Sequence, residues 1–454
     1  MIKITNSIIN DSKFKAAKSI VTKLRENNHK AFIVGGAVRD LCLNLEPNEF
    51  DISTCAKPEE IQKIFKKTKP VGQSFGVMLV IVDNVSFEVA TFRKDMEYAD
   101  GRHPTDVVYT QSEEEDIRRR DFTINGLMLD PDTLEIFDFC TGLDDLKSKT
   151  IRTIGNPKER FSEDHLRILR AIRFANRFSF KIELETEREL VLQAPEITKV
   201  SAERIREELT KIITNRNSGK GVHMLSSYGL NQHIIPEIEL LKGVEQPKEF
   251  HPEGDVFVHT CLVLDMLEKE VEENATLAFG ALFHDIGKPS TFTETDRIRF
   301  NRHEYVGANM TDKICKRLKF SNKQSNEIKS LVSEHMKFGN VKDMKKSTFK
   351  RFISIDNFDL HLKLHKADCL ASHGDLSLYD FTVNKIEELS NEPIKPKPII
   401  NGDDLISLGL NPGPEFKDIL SQIFDEQLEG NLKTKEDGMA LAKSFIKEVK
   451  NEIN

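Results

Sequence analysis

Long hydrophobic runs are missing from this sequence, whose longest uninterrupted aliphatic stretch is Val77–Val82. That length suits a buried strand and is far too short to cross a bilayer, so the sequence predicts no membrane-spanning segment. Residues 1–15 contain no apolar core of the kind that a signal peptide needs, so no export is expected. No C-x-x-C pair occurs either, which favours reduced thiols and a cytoplasmic location for the scattered cysteines Cys42, Cys55, Cys140, Cys261, Cys315 and Cys369.

Internal repeats and low-complexity segments are also absent from the sequence. The composition, 38% hydrophobic and 31% charged, is that of a folded chain, and 454 residues suggest about three domains. A net charge of −8 argues against a general nucleic-acid coat. Residues 147–220 nevertheless hold 17 Lys/Arg against 11 Asp/Glu. Such a local excess fits a partner that engages one patch, although on charge alone a solvated helical surface fits equally well.

Local patterns divide the chain into a mixed first part and a helical remainder. Apolar runs predict strands at 31–34, 77–82, 86–91 and 134–139, with a helix at 58–67. After Gly142 the helical period dominates, at 161–178, 185–193, 202–214, 220–227, 259–380 and 402–449. Prolines in 234–253 and 392–398 are typical of joints between units. We therefore expect an α+β fold with divisions at 1–145, 146–250, 251–380 and 381–454.

The most informative stretch follows the first predicted strand and reads Gly35-Gly36-Ala37-Val38-Arg39-Asp40, then Glu49-Phe50-Asp51. Glycines without a Cβ let a backbone turn approach a polyphosphate closely. On a strand, carboxylates at i and i+2 point to the same face, where they can share a pair of divalent ions. A glycine pair alone would indicate only a turn. The combination indicates metal-dependent transfer of a nucleotidyl group.

Two further groups could belong to the same site. Glu88 is a lone acid on an apolar strand, so it is either a third carboxylate beside Glu49 and Asp51 or an edge residue that faces water. Arg120 ends a run of three arginines before an apolar segment. Guanidinium forks suit the oxygens of a triphosphate, although consecutive arginines are often just a solvated surface.

A second strong signal is Glu163-Asp164-His165-Leu166-Arg167-Ile168-Leu169-Arg170-Ala171-Ile172-Arg173. On one helix, Asp164, Arg167 and Arg170 would advance by three residues and share a face. An aspartate and an arginine there could present an acceptor and donors to the edge of a base without a template, and the other arginines could hold phosphates. An ordinary surface ion pair would have the same spacing, at a few tenths of a kcal/mol.

Together these strings resemble those of the bacterial-type (class II) tRNA nucleotidyltransferases, the CCA-adding enzymes, and of the related poly(A) polymerases. The resemblance covers nearly the whole chain and rests on segments in the family's order, at 35–51, 88–104, 119–127, 163–173 and 202–208. It implies a nucleotidyltransferase head with a mixed sheet and helices at 1–145. It also implies a helical neck and body at 146–250 that recognise the base and bind tRNA.

The resemblance further implies roles for single residues. The Mg²⁺ ions would be held by Glu49 and Asp51. The triphosphate would contact Gly35, Gly36, Arg39 and Arg120. CTP or ATP would be read by Asp164 and Arg167, with Arg170 and Arg173 nearby. The family's first motif is usually Asp-x-Asp, and Glu49 departs from it; its two hard oxygens should still ligate Mg²⁺ with a longer reach.

Two segments discriminate among members of the family. Members that add only C lack a flexible segment between the first two motifs, and residues 93–104 look like that segment intact. Bacterial poly(A) polymerases typically carry a basic pair after the position of Val71-Gly72, whereas residues 72–77 here read GQSFGV. Both features favour addition of CCA, or of A, over addition of C alone and over poly(A) synthesis.

A second metal site is predicted farther along the chain. Lone histidines in helical runs are usually surface or capped core residues, but His284-Asp285-Ile286-Gly287-Lys288-Pro289 resembles the HD-domain phosphohydrolases. The resemblance implies a site for one or two divalent transition-metal ions, held by His259, His284, Asp285, His303, His335 and Asp368. Lys288 could neutralise charge that develops on a phosphate ester, or could be a plain surface lysine.

These expectations combine into one prediction. The chain would add C, C and A to tRNA 3′ ends from CTP and ATP, with an HD domain at 251–380, a helical tail at 381–454 and a possible second, phosphohydrolase activity. A poly(A) polymerase or an A-adding enzyme would share the catalytic residues. An HD phosphohydrolase with an inactive head and a non-catalytic RNA-binding protein are the alternatives of other classes.

Overall fold

The structure is a computed structural model, and the description below covers residues 6–72, 76–95, 107–272 and 274–453. The chain divides into two compact units, Met1–Glu239 and Leu240–Asn454, which are described separately. Residues 73–75 and 96–106 lie outside the described residues, and with them most of the two segments that discriminate among family members. The division into four parts stays a prediction.

A seven-stranded mixed sheet forms the centre of the first unit. Its order is β3-β4-β5-β2-β1-β8-β9; β2 and β5 run parallel and the other neighbours are antiparallel. β6 with β7 and β10 with β11 form two small separate sheets. The strands are β1 (Ala31–Val34), β2 (Asp51–Thr54), β3 (Thr68–Gly72), β4 (Val77–Val82), β5 (Val85–Thr91), β6 (Arg93–Asp95), β7 (Val107–Tyr109), β8 (Leu127–Leu129), β9 (Ile136–Asp138), β10 (Thr150–Ile151) and β11 (Lys181–Ile182).

Helices surround this sheet and form most of the chain that follows it, which confirms the predicted α+β class. Two 3₁₀ helices, Thr123–Asn125 and Ala194–Lys199, interrupt them. The α-helices of the first unit are α1 (Asn6–Asn10), α2 (Ser12–Glu26), α3 (Gly36–Cys42), α4 (Pro58–Ile64), α5 (Glu113–Arg118), α6 (Gly142–Lys147), α7 (Pro157–Glu163), α8 (Leu166–Phe178), α9 (Leu184–Gln193), α10 (Ala202–Ile213), α11 (Ser218–Ser227), α12 (Asn231–Ile234) and α13 (Pro236–Glu239).

Apolar side chains from one end of the sheet and from the helix before Arg119 form a core close to the glycine turn. Six fully or nearly fully buried residues make up this cluster: Val34, Cys55, Phe92, Ile117, Met128 and Ile154. Phe92 and Ile117 have no exposed surface. The strand that leads into Gly35 and the helix that leads into Arg119 are therefore fixed by the same hydrophobic packing.

Three elements of the first unit differ from the sequence prediction. β2 begins at Asp51, so Glu49 precedes the strand instead of lying on it. α4 ends at Ile64, and β3 follows as an edge strand, where Pro70 is tolerated because its missing N–H faces no neighbour. The single helix predicted at 161–178 is two helices, because the backbone of Asp164 is extended (φ −151°, ψ 101°). The Asp164 carboxylate accepts the amide N–H of Leu166, a typical helix start that periodicity does not reveal.

In its described residues, 240–272 and 274–453, the second unit is helical except for one hairpin, β12 (Phe292–Glu294) with β13 (Ile298–Phe300), which the sequence did not predict. A 3₁₀ helix, His335–Asp343, follows α19. Its α-helices are α14 (Val256–Met266), α15 (Glu268–Glu272), α16 (Ala275–Phe283), α17 (Lys288–Thr291), α18 (His303–Arg317), α19 (Asn322–Glu334), α20 (Lys346–Ile353), α21 (Phe358–Ala371), α22 (Ser377–Glu388), α23 (Gly402–Ser407), α24 (Glu415–Glu429) and α25 (Lys435–Ile453).

Two features of the whole chain bear on the first predictions. Among the described helices, none combines the length and the apolar character that crossing a membrane requires. All six cysteines are free thiols, and three of them are buried: Cys55, Cys315 and Cys369.

Candidate functional site

The glycine turn lies directly beside the first pair of acids. β1 ends at Val34, which pairs with Asp51 on the antiparallel neighbour β2. Gly35 has φ 69°, a left-handed conformation that a side chain would strain. A Cβ on Gly35 would also lie 3.1 Å from Nη1 of Arg120. The turn therefore keeps a bare backbone between a carboxylate and a guanidinium, where an anionic ligand can approach.

Three carboxylates, those of Glu49, Asp51 and Glu88, lie near the start of β2, close enough for their charges to act on one another. Ile52 pairs with Val89 in the parallel register of β2 and β5, which puts Glu88 level with Asp51. Burial, reinforced by the negative charges of Glu49 and Glu88, raises the pKa of Asp51 to about 6, against the opposing charge of Arg120. Their mutual repulsion is what a divalent cation would relieve, and carboxylate oxygens are the ligands that Mg²⁺ prefers. Glu49 and Asp51, which line one cavity, therefore offer the kind of donor atoms that fits Mg²⁺.

Of the three consecutive arginines, Arg119 and Arg120 face the same side as the glycine turn, and Asp116 holds both of them. Nη2 of Arg119 lies 2.7 Å from Oδ1 of Asp116, and Nη2 of Arg120 lies 3.1 Å from Oδ2. Arg120 also donates to the hydroxyl of Ser53 at 3.0 Å. Arg118 instead pairs with Glu114 on the exposed side of α5. The surface interpretation therefore applies to Arg118 alone.

Asp164 and Arg167 each have a partner that the sequence did not suggest. Arg204 on α10 donates to both carboxylate oxygens of Asp164, at 3.1 and 2.7 Å. Arg167 donates to Glu163 at 2.6 Å and to the carbonyl oxygens of Arg160 and Arg119 at 3.0 and 3.2 Å. Asp164 lies between α7 and α8, so the prediction of one shared helical face is wrong. Both side chains are nevertheless held in fixed orientations.

A chain of buried polar groups links Arg170 to Arg39. Nε of Arg170 donates to Oδ2 of Asp121 at 2.7 Å, and Asn125 donates to Oδ1 of Asp121 at 3.0 Å. The other end of the Asn125 amide accepts from Nη1 of Arg39 at 2.7 Å. Burial alone would raise the pKa of Asp121, but Arg170 and Asn125 hold it well below its usual range. The guanidinium of Arg39 lies over the ring of Phe174, 5.1 Å from its centre.

One cavity of about 550 Å³ in the first unit brings these groups together. Ten of the predicted site residues line it: Gly35, Gly36, Arg39, Glu49, Asp51, Arg120, Asp164, Arg167, Arg170 and Arg173. Glu88 is not among its lining residues, and its side chain is exposed. Sequence reasoning assigned no role to the remaining lining residues, Arg119, Asp121, Asn125, Leu166, Phe174, Arg177, Arg204 and Lys211.

All six predicted ligands of the second metal site converge in the second unit. One group joins His259, His284 and Asp368, and the other joins Asp285, His303 and His335. In the first group, Nε2 of His259 lies 3.3 Å from Nε2 of His284 and 3.1 Å from Oδ1 of Asp368. In the second group, Nε2 of His303 lies 3.2 Å from Nε2 of His335.

Asp285 lies between the two groups and faces both. Its Oδ2 lies 3.3 Å from Nε2 of His284 and 3.8 Å from Nε2 of His259. Its Oδ1 lies 3.4 Å from Nε2 of His303 and 3.8 Å from Nε2 of His335. One carboxylate can therefore serve two metal ions, one through each oxygen.

The other ring nitrogen of three of these histidines is held by the protein backbone. Nδ1 of His284 donates to the carbonyl of Ala281 at 2.7 Å, Nδ1 of His303 to that of Phe300 at 2.9 Å and Nδ1 of His335 to that of Val332 at 2.7 Å. An Nδ1–H that is donated in this way leaves the Nε2 lone pair for a metal. Burial lowers the pKa of His335 to about 3, so this ring is a neutral ligand at physiological pH.

Lys288 is buried, which rules out the plain surface lysine. Its Nζ lies 2.6 Å from Oδ2 of Asp285 and 2.5 Å from Oε1 of Gln246. The ammonium group balances the carboxylate that the two ligand groups share, and it faces no open solvent. Convergent Nε2 atoms and hard carboxylate oxygens are a donor set that fits a divalent transition metal.

Gly287 lets the His-Asp segment pack directly against α18. A Cβ at this position would collide with the carbonyl oxygen of His303 and lie 2.7 Å from the amide nitrogen of Gly307. We expect Gly287→Ala to lower the free energy of unfolding by roughly 1–3 kcal/mol and to weaken metal uptake, because His303 must move. Urea unfolding and a metal titration measure both effects. Gly339→Ala is the matched control, since a Cβ there meets nothing within 4 Å.

Three family models match the chain in succession. The "Poly A polymerase head domain" matches residues 31–152, and the "Probable RNA and SrmB- binding site of polymerase A" matches residues 179–241. The HD domain matches residues 256–367. Their order is the order of the motifs along the sequence.

Curated relatives and solved structures agree with these matches. The CCA-adding enzyme of Enterococcus faecalis is 44% identical over 210 residues, which cover 46% of this chain and 52% of that enzyme. The CCA-adding enzyme of Staphylococcus epidermidis is 28% identical over 415 residues, which cover 90% of this chain and 92% of that enzyme. The chain spans about half the length of several curated relatives that it matches.

Two solved structures share the fold. The Bacillus stearothermophilus CCA-adding enzyme in complex with CTP has a TM-score of 0.75 at 23% identity and covers 97% of this chain and 100% of its own. The Thermotoga maritima CCA-adding enzyme complexed with tRNA has a TM-score of 0.59 at 20% identity, covering 98% and 99%.

Proposed function

We propose that this chain, whose segments match a poly(A) polymerase head domain, an RNA-binding site of polymerase A and an HD domain in succession, is a class II tRNA nucleotidyltransferase that adds C, C and A to tRNA 3′ ends from CTP and ATP. The observation that carries the proposal is the single cavity that holds the glycine turn, Asp51 and the pair Asp164 and Arg167. The two curated relatives described above are CCA-adding enzymes. The division into head, neck and body, HD domain and tail is part of the same proposal.

In this proposal Asp164 and Arg167 read the base. The Asp164 carboxylate offers acceptors, and Arg167 keeps N–H donors beyond the three bonds that hold it. A cytosine or an adenine presents both an amino donor and a ring-nitrogen acceptor at its pairing edge. One aspartate and one arginine can complement both bases, whereas the keto and imino groups of uracil present the reverse pattern.

The triphosphate would extend from the base toward the glycine turn. Arg120 and the bare backbone at Gly35 and Gly36 face the same space, and Arg39, Arg170 and Arg173 add positive charge along it. Asp116 holds Arg120 and Asp121 holds Arg170 in position before a ligand arrives. Catalysis would then come mainly from positioning and from neutralisation of charge.

The expected reaction is an in-line displacement at phosphorus. The 3′-hydroxyl oxygen of the tRNA forms a bond to the α-phosphorus, the bond from that phosphorus to the bridging oxygen breaks, and pyrophosphate leaves. Glu49 and Asp51 would hold Mg²⁺, which when bound would make the attacking hydroxyl more acidic and supply a counter-charge for the leaving group. The arginine side chains retain the pyrophosphate until the new bond is complete.

The test uses three tRNA transcripts that end before CCA, after C and after CC, with CTP and ATP supplied separately and together. Addition of C, C and A that then stops is the expected result. A single A on the CC-ended transcript alone would indicate an A-adding enzyme. A long A tail without C would indicate a poly(A) polymerase, and no incorporation at all would refute the transferase proposal.

Arg204 gives a prediction about base reading. Arg204→Ala removes the two-pronged partner of Asp164, so the carboxylate can rotate away from the base. We expect kcat/KM for CTP and ATP to fall about 10- to 100-fold, the usual effect of losing a charged hydrogen bond. Incorporation of UTP and GTP relative to CTP should rise. Steady-state kinetics with each nucleotide measure both effects.

Two comparison variants make this prediction specific. Arg204→Lys keeps the charge without the planar fork and should recover only part of the activity. Arg297→Ala removes an exposed arginine between β12 and β13 and should leave the kinetics unchanged. Unaltered nucleotide selectivity in Arg204→Ala would contradict a role for Asp164 in reading the base.

We propose a second activity for the HD domain, because both ligand groups around Asp285 direct Nε2 atoms inward. The activity is metal-dependent hydrolysis of a phosphate ester. His259, His284 and Asp368 would hold one divalent ion, and His303 and His335 the other. The expected substrate is a nucleotide or an RNA with a terminal phosphate, because the same chain is proposed to act on the 3′ ends of tRNA.

A further inference from the structure

We propose that Glu253 is a positioning residue that fixes the orientation of His259 and thereby sets the metal affinity of one ligand group. This inference rests on the proposed HD metal site. We call the group of His259, His284 and Asp368 the first pocket and that of His303 and His335 the second pocket; Asp285 faces both.

His259 differs from the other histidine ligands in what holds its Nδ1 atom. The Nδ1 atoms of His284, His303 and His335 each donate to the carbonyl oxygen of the residue three positions earlier in the chain. For His259 that carbonyl belongs to Val256, and it accepts the hydroxyl of Thr260 at 2.9 Å. Nδ1 of His259 instead lies 2.7 Å from Oε1 of Glu253. A carboxylate oxygen therefore lies beside the ring nitrogen for which the other three histidines have a backbone acceptor.

Glu253 is held in place for this contact. Its side chain is 6% exposed, and its Oε1 also accepts from Nδ1 of His251 at 2.9 Å. The loop that carries it is pinned to α14, because Asp255 accepts the amide N–H of Val258 at 3.0 Å and that of Gly243 at 2.6 Å. The loop also closes through the backbone N–H of Gln246, which donates to the carbonyl oxygen of Gly254 at 2.8 Å. These bonds leave Glu253 little freedom to swing away from His259.

A carboxylate behind a histidine ligand does two things. It fixes the ring so that Nε2 faces the metal, and its charge makes that nitrogen a stronger donor. The first pocket also contains Asp368, whereas the second pocket has two histidines and only its share of Asp285. Glu253 should therefore raise metal affinity in the first pocket alone, and the two pockets should fill at different metal concentrations.

The test titrates the full-length protein with Co²⁺ and follows the visible absorption of histidine-ligated cobalt. His335→Ala leaves only the first pocket intact, and Asp368→Ala leaves only the second. Adding Glu253→Ala should weaken Co²⁺ binding about 10- to 100-fold in the His335→Ala background. The same change should have no effect in the Asp368→Ala background.

Two further variants separate orientation from folding. Glu253→Gln keeps an oxygen that can accept the Nδ1–H and should restore a large part of the lost affinity. Glu249→Ala removes an exposed glutamate of the same loop and should change nothing. Rescue by glutamine together with an unchanged second pocket is not expected of a residue that merely supports the fold.

The outcomes distinguish the inference from the proposal beneath it. Equal Co²⁺ affinity with and without Glu253 in the His335→Ala background would overturn the inference while leaving the metal site in place. Equal weakening of both pockets, without rescue by glutamine, would also overturn it. If the unaltered chain shows no absorption from histidine-ligated Co²⁺, both the HD metal site and the inference are wrong.

Discussion

Asp51→Ala is expected to lower nucleotide incorporation at least ~10³-fold, which corresponds to a barrier about 4 kcal/mol higher. Asp51 is the acid that pairs across the sheet with the end of β1, immediately before the glycine turn. Burial and the neighbouring acids Glu49 and Glu88 disfavour its charged form and raise its pKa to about 6. A side chain that is costly to keep ionised there is one whose charge is expected to be used for a cation.

The measurement is incorporation of labelled CTP and ATP into a tRNA transcript that lacks CCA. Asp51→Asn keeps the shape of the side chain and should be almost as inactive, because an amide is a poor substitute for a charged Mg²⁺ ligand. Glu135→Ala, which alters an exposed acid just before β9, should retain full activity. Metal-dependent phosphatase activity should persist in all three variants. Incorporation by Asp51→Ala above about one tenth of the original rate would refute its role.

Asp285→Asn is expected to abolish metal binding in both pockets of the HD domain and the proposed hydrolase activity with it. The two oxygens of Asp285 face different pockets, so a single substitution removes a ligand from each. It also leaves the buried ammonium of Lys288 without its charged partner. Breaking a buried ion pair in this way costs roughly 3–5 kcal/mol, so the unfolding free energy should fall as well.

Comparison variants separate the loss of ligands from the loss of stability. His335→Ala should remove one metal equivalent and leave the first pocket occupied, whereas Asp285→Asn should remove both. In Asp285→Asn combined with Lys288→Met, stability should recover but metal uptake should not. Elemental analysis after dialysis, together with urea unfolding, measures these effects. A metal content in Asp285→Asn equal to that of the unaltered chain would refute the role of Asp285 as a shared ligand. Extension of tRNA should be unaffected in all of these variants.

The features that local sequence encodes were predicted well. Short strands with glycine after them, such as β1 with Gly35, are visible because turn chemistry and apolar runs coincide. The α+β class followed from the change of period after Gly142. His284 and Asp285 are adjacent, so the segment that carries them could be recognised without knowledge of the fold.

The partners that hold the site residues were not predicted, because they come from distant parts of the chain. Arg204 reaches Asp164 across 40 residues, and Arg170 reaches Asp121 across 49. Such pairs form only when helices pack, and a single sequence carries no record of the packing. The break at Asp164 was missed for a local reason. Apolar residues keep the helical period on both sides of it, so the sequence pattern continues across the two residues that separate α7 from α8.

The way in which His259 is held has a practical consequence for anyone who isolates the HD domain. The match to the HD family begins at residue 256, and all six metal-facing residues lie beyond that point. A fragment that starts there would keep every metal ligand. It would lack Glu253, which contacts Nδ1 of His259, and Gln246, which accepts a hydrogen bond from Nζ of Lys288. An expression boundary placed before Gly243 keeps both supports, since the loop that carries them is anchored at Gly243.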